Sequence, residues 1–151
     1  MLVRDKIIRG AIIGICADTV KLIFNYFCYL MGWTPVLFWQ IAATRFLDQA
    51  ELFQPAAFLI GGAADITVSA FLGIAFLYLL DYTRYSFPWI KGAGTGLLIW
   101  VGLFGTILGQ SAQNKLPIAS ATVVVTLFAH IVFGLGLALF ELLLSGRKIE
   151  L

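Results

Sequence analysis

Apolar residues fall into four long blocks, 7–31, 55–80, 89–110 and 118–144, separated by short polar, glycine- or proline-bearing stretches. Each block can cross a hydrocarbon core of about 30 Å, which takes about 20 residues of α-helix. The pattern predicts an all-α integral membrane protein: a four-helix transmembrane bundle that makes residues 1–151 one transmembrane domain. Residues 36–54 are different. They mix Trp39, Phe46 and Phe53 with Arg45, Asp48 and Glu51 and lack an apolar run of spanning length. This predicts an amphipathic interfacial or partly re-entrant helix between spans one and two, lying on the outer face as a cap.

Punctuation supports the boundaries. Gly32, Trp33 and Pro35 stop the first block, Pro55 opens the second, Asp81 to Tyr85 close it, and Ser111 to Pro117 separate the last two. Small residues mark the faces expected to pack. Gly10 and Gly14, Gly92 and Gly96, and Gly105 and Gly109 each have the GxxxG spacing that lets two helix backbones approach closely. The third block thus reads as the spine of the bundle.

The first block departs from a plain span because Asp18, Lys21 and Asn25 lie within it. A charge at the bilayer centre costs about 2.5–3.5 kcal/mol or more, so the fold must supply receivers. Counted from the block ends, Asp18, Asp65 and His130 all lie roughly 15–18 Å deep, near the midplane, and Lys21 is one turn further along. Asp18 and Lys21, three apart, share a helix face and can pair. Asp65 then needs a proton, a cation or a partner, and His130 is the titratable side chain expected at its depth. With His130 protonated the four charges of Asp18, Lys21, Asp65 and His130 sum to zero, which ties the cluster to proton or cation binding.

Composition sharpens the class. The chain is 61% apolar and 12% charged, where soluble domains average about 25% charged. A net charge of +2 offers no broad basic surface for nucleic acid. Cys16 and Cys28 stand roughly 18 Å apart along one helix and cannot bridge. No spacing of Cys and His suggests a metal site, and no cofactor motif is present. Lys91-Gly92-Ala93-Gly94-Thr95-Gly96 superficially suggests a phosphate-cradling loop, yet it lacks the closing Gly-Lys-Ser/Thr and leads straight into a membrane helix, so no nucleotide is expected. The basic start before an apolar run is no signal peptide, since Asp18 and Lys21 interrupt the run and no small-residue cleavage site follows.

Lysine and arginine counts give the orientation. Arg4, Lys6, Arg9, Arg84, Lys91, Arg147 and Lys148 fall on one side of four spans, Arg45 and Lys115 on the other. The positive-inside rule then puts both termini in the cytoplasm, in a multi-pass protein of the cell membrane.

Gly73-x-Ala75-Phe76-x-Tyr78, Trp89, Gly92, Gly96, Trp100, Thr126-Leu127, Ile131 and Gly134 together resemble the pattern of the YqhR-type family of small bacterial membrane proteins, over roughly residues 66–141. That resemblance implies a four-span bacterial inner-membrane protein without an established activity.

Two functions follow as expectations. The first is a non-enzymatic complex subunit or assembly protein, whose partners are the lipid bilayer and other membrane proteins or further copies of itself. The alternative is a small oligomeric transporter or channel using Asp18, Lys21, Asp65 and His130. An enzyme is not expected, because neither Ser69 near Asp65 nor Thr126 near His130 forms a recognisable nucleophile motif.

Overall fold

A computed structural model describes residues 5–146. Arg4, Arg147 and Lys148, used above for orientation, lie outside the described residues. Those that are described form helices joined by short turns, with no strand among them.

Helix α1 (Lys6–Leu30) starts at Asp5, whose carboxylate accepts the Ile8 N–H at 2.9 Å and so caps the first turn. It stops where Gly32 takes the left-handed φ of +74°. A six-residue helix α2 (Phe38–Ala43) and a 3-10 turn (Gln49–Glu51) follow. Helix α3 (Pro55–Tyr82) has proline in its first turn, where no backbone donor is lost. Helix α4 (Pro88–Ile99), a π-helical segment (Trp100–Leu108) and α5 (Gly109–Lys115) then form one continuous rod. Helix α6 (Ser120–Ser145) ends at Gly146, also left-handed with φ +64°.

Three helical stretches among the described residues are long and apolar enough to cross a membrane: Pro55–Tyr82, Pro88–Lys115 and Ser120–Ser145. Helix α1 has the length, 25 residues, but carries Asp18, Lys21 and Asn25 on its buried face.

The helices pack in the order α3, α1, α6, α4. Glycine sets two of these contacts. Gly10 and Gly14 lie against Ile74 and Ser69 while Gly73 lies against Gly10 and Gly14, so any Cβ at these positions would strike the facing backbone. Gly92 and Gly96 meet Gly134 and the His130 carbonyl on α6 in the same way. Gly105 and Gly109 do not behave as their spacing predicts. The nearest atoms to an added Cβ are the carbonyl oxygens of Trp100 and Phe104 on their own rod. The π segment changes the turn from i+4 to i+5 bonding, so a spacing of four no longer aligns one face there.

The order leaves a seam. Helix α3 scarcely touches α4, and α1 and α6 form the floor between them.

Residues 36–54 form two short helical pieces instead of one amphipathic helix. Val36, Leu37, Phe38, Ile41, Ala42 and Ala43 are buried, because the chain turns back into the protein and lays α2 along α3, with the Trp39 carbonyl seated on Gly61. Its charged residues come later, in the exposed stretch from Arg45 to Glu51. Asn25 holds the descent: its Oδ1 accepts the Phe38 N–H at 3.0 Å in a buried setting. Asn25→Leu is expected to cost about 1–3 kcal/mol, the desolvation of an abandoned buried donor. Amide hydrogen exchange in residues 36–44 checks this; unchanged protection there would show that Asn25 does not hold the segment.

Candidate functional site

Three of the four residues Asp18, Lys21, Asp65 and His130 meet directly. Lys21, one turn beyond Asp18 on α1, donates from Nζ to Asp18 Oδ1 at 2.6 Å and to Asp65 Oδ1 at 2.8 Å. Ser69, one turn after Asp65 on α3, donates to Asp18 Oδ1 at 2.9 Å. The close approach at Gly14 and Gly73 brings the two helices near enough for these bonds. The Lys21 ammonium also sits 4.6 Å from the Phe38 ring centre and 5.7 Å from that of Phe133, placements that favour a cation. Both outer carboxylate oxygens, Asp18 Oδ2 and Asp65 Oδ2, are buried without a hydrogen-bond partner among the described residues.

His130 stands apart from this network, which corrects the expected Asp65–His130 pair. Helix α3 lies on α1 and barely meets α6, so the ammonium of α1 reaches Asp65 and the imidazole of α6 does not. His130 Nδ1 donates to the Thr126 carbonyl oxygen at 2.7 Å. No hydrogen-bond partner of its Nε2 is found among the described residues. The rings of Phe38 and Phe104 flank it, with centroids 5.4 and 6.3 Å away.

Lys21, Asp65 and His130 nevertheless share one cavity of about 260 Å³. It occupies the seam: Ala64, Asp65, Val68 and Leu72 of α3 form one wall, while Ile99, Leu103, Ile107 and Leu108 of the rod form the other. Phe38 and Ala42 of the inserted helix close one end, and Arg45 and Phe46 stand at its mouth. The π segment supplies three wall residues. No sequence signal announced it beyond the dense glycines at 102, 105 and 109.

A second polar group lies at the opposite end of the bundle. Arg9 contacts Glu141 Oε1 at 3.3 Å and the Tyr85 hydroxyl at 3.5 Å, with Glu141 only 1% exposed. Lys6 pairs nearby with Asp81. Sequence reasoning passed over Glu141. Its signal was present: it is the one acidic residue in α6, at the end of that helix that faces the basic start of α1.

Among the described residues no three His, Cys, Asp or Glu side chains stand close enough to hold a metal ion, and Cys16 and Cys28 are both free thiols. No protein-family model, no curated protein and no solved structure matches the chain.

Proposed function

We propose that this chain is a four-span protein of the cell membrane that binds a small amphipathic molecule in the seam between α3 and the rod, as a carrier or as a sensor subunit, without catalysing a reaction. A single observation carries the reading: an apolar cavity of about 260 Å³ ends on an ammonium, a carboxylate and an imidazole. That is the usual make-up of a ligand pocket, apolar walls with a few convergent polar groups, and its volume falls just below the usual range of about 300–1,000 Å³.

Helix α1 is the fourth span in this reading, its polar residues facing inward as charged groups in membrane helices almost always do. The positive-inside rule supports cytoplasmic termini, since Lys6, Arg9, Arg84 and Lys91 cluster at one end while Arg45 and Lys115 lie at the other. Membership of the YqhR-type family belongs to the same proposal. Gly73, Gly92, Gly96 and Gly134, which carry that resemblance, are all positions where two backbones meet.

A second reading is a non-enzymatic complex subunit or a homo-oligomer. It is favoured by Gly94 and Gly102 on the rod, which have open space around them, so that another helix can come close there.

Native mass spectrometry of protein extracted gently from its own membrane separates the two. A small molecule carried by the wild type and lost in Asp65→Asn is the expected result. A bare mass, or the chain with another protein, would favour the subunit reading.

A further inference from the structure

We propose that the cavity selects a lipophilic ammonium: an apolar body bearing a protonated amine that pairs with the Asp65 carboxylate beside His130. This rests on the ligand-binding reading above and names its ligand class.

Hydrogen-bond accounting gives the first reason. Lys21 spends two of its three N–H donors on Asp18 and Asp65 and stands over the Phe38 ring, and Ser69 donates its hydroxyl to Asp18. Two acceptors on lining residues have no donor among the described residues: Asp65 Oδ2, which is buried, and His130 Nε2. A buried acceptor without a donor is costly, so the complementary head group is one that brings N–H or O–H donors.

Charge gives the second. Asp18 and Asp65 ionised beside one ammonium leave the group at one negative charge, and an uncompensated charge is expensive at this depth. A ligand carrying one positive charge brings the sum to zero, whereas a carboxylate or phosphate ligand doubles the excess. A proton would also balance it, but it would leave the apolar space unused. The walls then define the rest of the ligand, since Val68, Leu72, Leu103 and Ile107 offer it only apolar contact. Arg45 is the one cation at the mouth. It is solvent-exposed, where its repulsion is screened.

The test uses three probes of one shape that differ only in head group: 1-adamantanamine, 1-adamantanol and adamantane-1-carboxylate. Each is titrated by calorimetry into the full chain in nanodiscs of neutral lipid, with empty nanodiscs subtracted. The expected result is saturable one-to-one binding of the amine, at least tenfold tighter than the alcohol, with no saturable signal from the carboxylate. Asp65→Asn should weaken the amine at least tenfold. Leu103→Phe, which fills the cavity and leaves every charge in place, should abolish binding even if Asp65→Asn fails to fold. Tighter binding of the carboxylate, or equal binding of amine and alcohol, overturns the ammonium proposal and leaves the ligand-binding reading standing. If no probe binds and native mass spectrometry finds only the bare chain, both fall together.

Discussion

Lys21→Met is expected to destabilise the protein by about 3–5 kcal/mol, the cost of breaking a buried ion pair by removing one partner. Methionine fills the space of the lysine stem, so packing changes little. Two carboxylates remain, Asp18 and Asp65, with Asp18 only 1% exposed and the sole cation between them gone. The triple variant Asp18→Asn, Lys21→Met, Asp65→Asn removes all three charges and should recover most of the loss, because apolar or neutral replacement of a whole buried ionic group is often neutral. Unfolding in mixed micelles, followed by tryptophan fluorescence, checks both. Equal losses in the single and triple variants would mean that lysine packing, not charge, is what matters at this position.

Gly14→Leu should cost about 3 kcal/mol or more, the upper end of overpacking costs. A Cβ there lands on the Ser69 carbonyl, which is backbone and has no rotamer to yield. The helices must separate, and the separation occurs one turn from the Lys21–Asp65 bond. Gly62→Ala is the control. That glycine has open space around it, so alanine there should be neutral or stabilise by about 0.5–1 kcal/mol through helix propensity. Thermal unfolding of both variants tests the contrast, and a mild effect at Gly14 would show that α1 and α3 approach less closely than described.

How much of this could be read from the sequence depends on whether the deciding physics is local. Hydropathy places the long helices because burying about 20 apolar residues in a helix is a composition rule. The Asp18–Lys21 pair is readable because a spacing of three on one helix fixes the geometry. Asp65 is harder. Counting from a block end gives a depth along the helix but cannot say which neighbouring helix Asp65 faces, and its partner is Lys21 instead of His130. Asn25 stands out as polar within an apolar block, yet its partner is a backbone N–H on a segment that turns inward, and no side-chain pattern announces that. The segment 36–54 misleads for a related reason: its apolar half and its charged half are consecutive, not interleaved, so the apolar half is buried and the charged half stays outside. Gly105 and Gly109 have the spacing of a packing face, but a π segment removes the periodicity that gives the spacing its meaning.

The Lys21–Asp65 bond joins residues 44 apart in the chain, and on the four-span reading this sets an order of events during biosynthesis. Helix α1 leaves the ribosome before α3, with Asp18 as the counter-ion that its own helix supplies to Lys21, and enters the bilayer as a neutral pair. At 5–20 residues per second, Asp65 is made about 2–9 s later. The second carboxylate therefore reaches a helix already waiting in lipid, and the excess negative charge arises only when α3 docks. Until then α1 is the least securely inserted part of the nascent protein, and a chain truncated before Asp65 should be the form that quality-control proteases remove first.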